Sequence, residues 1–316
     1  NTALGRGALT SDTLGSRNVA VGTDALSLQN FTTATNSYNV AVGHSAGLSV
    51  TTGTQNTFIG GLAGDAITTA SQNVAIGVDA LSTNTTASRN VAVGRSALAT
   101  MNRTDDASSY NTGVGWFAGA IITTGTSNTI VGGLAGDNLQ AADDNTAVGV
   151  SALGADSLGV QTTALGRSAL QSQNFATSTT TYNTAVGTNS GLDLTTGTQA
   201  TLIGHGAGAS LTDADFNVVV GVNALAADTL GSKSVAIGTQ ALNTQNFTTA
   251  TDAHNVGIGY QAGLLLTTGV QNTIVGSLAG DKLTTGSNNA IFGVSAAGTG
   301  TVTGNNNTAI GTSALG

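Results

Sequence analysis

Apolar and polar residues alternate along this chain in short pentads, seen in "NVAVG" at Asn18–Gly22, "NVAIG" at Asn73–Gly77 and "NTAIG" at Asn307–Gly311. Their second and fourth positions are nearly all Val, Thr, Ile or Leu. β-Branched residues two apart suit a short strand. The third position is also apolar, mostly Ala but Phe58, Ile130, Leu202 and Ile274 in one class of unit, so both strand faces are expected to be covered.

The pentads recur on a longer period. They begin at residues 1, 18, 39, 56, 73, 90, 111, 128, 145, 162, 183, 200, 217, 234, 255, 272, 289 and 307, eighteen in all. Successive starts are 17 residues apart, with 21 at every fourth step and a single 18 near the end. Three short units and one long unit make 72 residues, giving super-repeats 18–89, 90–161, 162–233 and 234–306. A 17-residue period is too short for a helix pair and fits one turn of a solenoid built from short strands and turns. The predicted fold is therefore all-β: a parallel β-solenoid, or β-roll, of eighteen 17/21-residue coils, with 1–316 as a single continuous segment. Coils about 4.8 Å apart make a rod of roughly 85 Å, advancing about 19 Å per super-repeat.

Position by position, the repeat specifies more. The fifth residue is Gly in every unit, including Gly22, Gly43, Gly60 and Gly77, which fits a positive φ or a neighbour too close for a side chain. The eighth is Ala in every unit but one, where Ser190 stands, again implying close approach. The first is Asn in fifteen units, including Asn18, Asn39, Asn56 and Asn73, and these amides are expected to bond from coil to coil as a ladder. A second strand is expected at positions eleven to fourteen, where Val50, Ile67, Ile122, Leu194, Leu211 and Leu266 recur.

One narrow coil holds few apolar side chains, and a strand apolar on both faces leaves a long greasy stripe. Closed symmetric association covers it, and the expected partner is the chain itself, as a homotrimer. No atypical polar unit caps either end, so the expectation is a segment of a longer fibre or a subunit stacking end to end into a filament.

Composition narrows the function. Gly fills 45 of 316 positions, Pro and Cys are absent, and all sixteen acidic residues are Asp. That polar inventory favours turns over helices. A net charge of −8 with eight scattered cations argues against nucleic-acid binding. No apolar run is long enough for membrane insertion within this segment. Without Glu or Cys the usual catalytic inventory is nearly empty, so no enzyme, no metal and no cofactor is expected. "GGLAGD", at Gly60–Asp65 and Gly132–Asp137, lacks the glycine spacing and tandem copies of a calcium-binding β-roll. "GVGWFAG" at Gly113–Gly119 has no Lys for a phosphate loop, and stacking does not cluster His44, His205 and His254 as ligands.

"SVAIG" at Ser234–Gly238, with "NVAIG" and "NVAVG", resembles the head repeat of the trimeric autotransporter adhesins. The ending "NNNTAIGTSALG", Asn305–Gly316, is similar to repeats of phage tail fibres. The adhesin resemblance implies a trimeric left-handed parallel β-roll displayed on a bacterial surface. The coils here are longer than that repeat, and its pattern has no insertion at every fourth coil. The expected function is thus an extracellular structural or adhesive fibre segment, at a bacterial cell surface or on a virion tail fibre, presenting sites to a cell-surface ligand. Two alternatives are a passive filament subunit and an ice-binding solenoid using stacked pairs such as Thr51–Thr52, Thr68–Thr69 and Thr85–Thr86.

The long coils supply the candidate contacts. "QNFTTAT" occupies Gln29–Thr35 and returns at Gln245–Thr251, and six of the aromatics sit in these segments: Phe31, Tyr38, Tyr110, Phe175, Tyr182 and Phe247. Extra residues are expected to bulge outward, with the aromatics either stapling the bulge or forming a periodic row of contact sites.

Overall fold

The structure is a computed structural model that describes residues 1–105, 107–298 and 303–315. The described residues hold strands and turns and no helix. Contacts divide them into two compact units, one of residues 1–160 with 176–178, the other of residues 161–175 with 179–316. Each unit is a parallel β-solenoid with one three-residue strand per turn. Nine run from Thr2–Leu4 to Thr146–Val148 in the first unit, and nine from Thr163–Leu165 to Thr308–Ile310 in the second.

Within a unit every strand pairs in register with its neighbours. Val19, Val40, Thr57, Val74, Val91 and Thr112 stand opposite one another in the first unit. Thr184, Thr201, Val218, Val235 and Val256 do so in the second. The strands stay short because backbone with positive φ brackets them. Gly stands at the fifth position, and the seventh, ninth and last residues of a turn are all left-handed, as in Asp24 (φ 58°), Leu26 (φ 48°) and Arg17 (φ 65°). Proline cannot adopt that conformation and would remove an inter-turn donor. The fifth-position glycines need both kinds of freedom expected of them: Gly22 has φ 137°, and a methyl group on it would overlap the carbonyl of Gly43.

Strand alternation decides the core. The third residue points inward and is buried in every strand after the first, as in Ala20, Ala41, Phe58 and Ala75. The second and fourth residues point outward and stay partly exposed. The apolar third position therefore fills the chain's own interior, and the uncovered apolar face belongs to the second and fourth.

Positions nine and twelve complete the core in complementary pairs. Where the ninth residue is Leu (Leu26, Leu98, Leu225, Leu242), the twelfth is Gln29, Met101, Asp228 or Gln245; where it is Gly (Gly47, Gly119, Gly191, Gly263), the twelfth is Val50, Ile122, Leu194 or Leu266. All eight twelfth-position side chains are buried. A Cβ on Gly119 would lie 2.9 Å from Ile122 Cδ1 and 2.9 Å from Leu98 Cδ2, so the aliphatic twelfth residue occupies the space a ninth-position Leu fills elsewhere. The expected strand at positions eleven to fourteen is absent from the described residues, because the twelfth side chain must turn inward between two tight corners. Second strands form only beside long coils: Gly15–Ser16 pairs with Thr35–Asn36, and Gly231–Ser232 with Thr251–Asp252.

Candidate interaction surface

Two side-chain ladders hold successive turns together. Asn18 Oδ1 accepts the Asn39 backbone N–H at 2.9 Å, Asn39 Oδ1 that of Asn56 at 2.9 Å, and Asn56 Oδ1 that of Asn73 at 2.9 Å. The Asn39, Asn56 and Asn73 Nδ2 groups donate to Gly53, Ala70 and Ala87 carbonyls within their own turns. Each Asn thus closes one turn and joins it to the next through carbonyl-to-backbone bonds more than amide-to-amide ones. Position sixteen carries a second ladder that the repeat's variability hides. Thr54 N–H donates to Ser71 Oγ, Ser71 N–H to Ser88 Oγ, Thr126 N–H to Asp143 Oδ1 and Thr198 N–H to Asp215 Oδ1. Ser and Asp share an acceptor oxygen at similar reach, which preserves the bond while the letters change.

The long coils separate the six candidate aromatics into two groups. Phe31, Phe175 and Phe247 are each only 6% exposed, beneath the insertion. Above Phe31 and Phe247, residues Thr32–Ala34 and Thr248–Ala250 are in solvent. A buried carboxylate helps set this corner: Asp228 Oδ2 accepts from Gln245 Nε2 at 2.6 Å, and its Oδ1 accepts the N–H groups of Gly231 (3.1 Å) and Phe247 (3.0 Å). Gln245 Oε1 in turn accepts from Asn255 Nδ2 at 2.8 Å. In the second long coil Met101 replaces the Gln, and Asn84 replaces the Asp: its Oδ1 still accepts the N–H three residues on, from Ala87 at 3.0 Å, and its Nδ2 donates to the Ala87 carbonyl at 2.7 Å. A carboxylate is dropped where no amide donor faces it.

Tyr38, Tyr110 and Tyr182 lie outside, at 46%, 56% and 62% exposure. They occupy the last position of their coils, whose left-handed backbone (φ 52°, 53° and 52°) turns the side chain away from the core. His254, exposed with φ 49°, holds the same position in the fourth long coil. Basic residues precede three of the four. Arg17 stacks 5.2 Å from the Tyr38 ring centre and donates to its hydroxyl, Arg89 stacks 5.5 Å from Tyr110 and donates at 2.7 Å, and Lys233 pairs with Asp252 at 2.6 Å beside His254. Arg89 Nε also donates to Gln72 Oε1, and Gln72 Nε2 to Gln55 Oε1, so amides continue the column. Reading the aromatics by type missed His254 and the cations; a ring just before the Asn of the next unit, in all four long coils, was the available signal.

Elsewhere the outward strand face dominates. No second or fourth position of any turn carries a charge, and Val42, Ile59, Val148, Ile203 and Ile237 on this face rank among the exposed large apolar residues. By contrast, the first threonines of two pairs bond within the fold: Thr51 and Thr68 hydroxyls donate to the Thr68 and Thr85 carbonyls at 3.2 and 3.1 Å. Near the insertion of the second long coil, the Arg103 guanidinium holds the Asp105 carboxyl down to about 2. Likewise the Lys233 ammonium lowers Asp252.

Among the described residues no group of three or more His and Asp side chains is placed to hold a metal ion, and no helix is long and apolar enough to cross a membrane. Compared with known proteins, the chain matches no family model, no curated protein and no solved structure.

Proposed function

We propose that this chain is a structural fibre segment that assembles as a homotrimer through its outward strand face and presents its exposed tyrosines as recurring contact sites. The observation that carries this reading is the uncharged outward strand face, whose fourth position is Val, Ile, Leu or Phe in all nine turns of each unit and whose second is Val, Ala or Thr. Every fourth side chain adds to an apolar stripe, and apolar patches beyond about 300–600 Å² on a soluble protein mark association surfaces. The alternation with buried third positions supports the same conclusion, since the core needs nothing from this face. Its function is mechanical and adhesive rather than catalytic. Display outside a bacterial cell or on a virion tail fits the repeat it resembles, and the exposed Tyr38, Tyr110 and Tyr182 suit contact with a surface ligand.

Light scattering tests the assembly. Wild-type protein is expected at three times the 30.7 kDa chain mass. Val131→Asp with Val148→Asp, two outward residues on adjacent strands, is expected to give monomer with an unchanged circular dichroism spectrum, because both side chains already face away from the core. A wild-type monomer refutes the proposal.

A further inference from the structure

The long coils repeat one phrase, "QNFTTAT" at Gln29–Thr35 and again at Gln245–Thr251. In the second long coil the same seven positions read "MNRTDDA", which shares only Asn102 and Thr104 with that phrase. Asn-x-Thr is therefore what the insertion keeps when the rest of its text changes. The third long coil retains Asn174 and has Ala176 two residues on. Asn-x-Ser/Thr is the acceptor triplet for an N-linked sugar, and it belongs on surface loops.

The fold accounts for the Asn of this triplet and not for the Thr. Asn30, Asn102 and Asn246 are exposed, and each Oδ1 accepts a hydroxyl from the turn before: Thr13 at 2.9 Å, Thr85 at 2.9 Å and Thr229 at 3.2 Å. That bond orients the amide, and among the described residues its Nδ2 has no hydrogen-bond partner. Thr32, Thr104 and Thr248 are exposed as well, and among the described residues their hydroxyls bond to nothing. The two other Asn-x-Thr triplets of the chain differ. Asn84 is buried, with its Nδ2 donating to the Ala87 carbonyl at 2.7 Å, and Asn306 leads into a strand in which Thr308 pairs with Ala290.

We propose that Asn30, Asn102 and Asn246 are N-glycosylation sites, modified by a separate transferase that uses a glycosyl diphosphate donor. Nδ2 forms a bond to the anomeric carbon of the sugar, and the bond from that carbon to the diphosphate oxygen breaks. Its electron pair leaves on the diphosphate, and one amide proton passes to a base of the transferase. This chain supplies the acceptor alone, and neither the strand face nor the tyrosines enter the reaction.

Peptide mass mapping of the full chain purified from its native source reads the sites directly. Sugar is expected on Asn30, Asn102 and Asn246, with Asn84, Asn174 and Asn306 bare. Single hexose increments identify a nucleotide-linked donor and a block of constant mass a lipid-linked one, and either supports the proposal. Thr32→Val keeps the shape of the side chain and removes the hydroxyl. It is expected to abolish sugar on Asn30 alone, while the urea midpoint of the unglycosylated protein stays unchanged. Ala176→Thr should add sugar at Asn174. Unmodified peptides at all three sites would overturn the proposal, as would sugar on Asn30 that survives Thr32→Val. A midpoint lowered by Thr32→Val would assign the hydroxyl to the fold and overturn it too. Equal modification of Asn84 or Asn306 would do the same, because the exposed insertion would then not be what selects the site.

Discussion

A single residue carries unequal weight at different places in the repeat. Gly22 combines a φ of 137° with a neighbouring carbonyl where a side chain would go, so neither constraint can relax without opening the strand pairing. Gly22→Ala is expected to cost about 3 kcal/mol or more in urea unfolding, strain and overlap together. Among the aromatics, Phe247→Ala removes a buried ring and should cost about 3 kcal/mol, whereas Tyr110→Ser, at an exposed site, should change stability by less than about 1 kcal/mol. Equal losses for the two would contradict the division into staple and contact residues. The Asn ladder contains its own natural experiment. Ala200 accepts the preceding link, its N–H donating to Asn183 Oδ1 at 2.9 Å, and has no amide to pass the ladder on. Ala200→Asn is expected to raise the midpoint, by about 1 kcal/mol of added stability.

At the scale of one turn, the core is a volume constraint shared by two positions. Leu at position nine with Gln, Asn, Asp or Met at twelve, or Gly at nine with Val, Ile or Leu at twelve, fills the same space in either order. Gly119→Leu alone is therefore expected to overpack against Ile122 and Leu98, at about 1–3 kcal/mol, even though Leu98 itself holds the same left-handed backbone. Ile122→Ala added to it should restore part of that loss, and a double-mutant cycle measures the coupling. Additive effects would mean that the two positions do not share one cavity. The rule was legible in the sequence as an alternation at each position, but their relation was not, because only the turned-in twelfth side chain brings them together. The same turning explains why a strand expected at positions eleven to fourteen gives way to a corner.

For the molecule as a whole, charge is sparse, and the paired carboxylates Asp105 and Asp252 are exposed. The paired carboxyls Asp105 and Asp252 titrate below the ordinary value, so whatever they contribute is present above 3.8 and lost as pH falls through their lowered values. Asp65 and Asp137, pushed up by burial, run the other way. Stability in mild acid is therefore the sum of opposed terms. Because the proposed trimer assembles through the uncharged strand face, raising salt should leave it intact. Dissociation in high salt would point to ion pairs and away from the apolar face.

The repeat by itself determined the class of fold and the ladder residues, because every turn sees nearly the same neighbours, and a constraint imposed many times leaves its letter many times. Gly at position five and Asn at position one are visible for that reason. Tertiary structure alone decided direction. Apolar residues at positions two, three and four look alike in the text, yet strand pleating buries the third and exposes the others. Phe31 and Tyr38 share one insertion, yet a left-handed residue at the end of the coil sends Tyr38 outward while Phe31 folds beneath the bulge. Which way a side chain points follows from backbone dihedrals and from the turn stacked against it, and neither is written at the residue's own position.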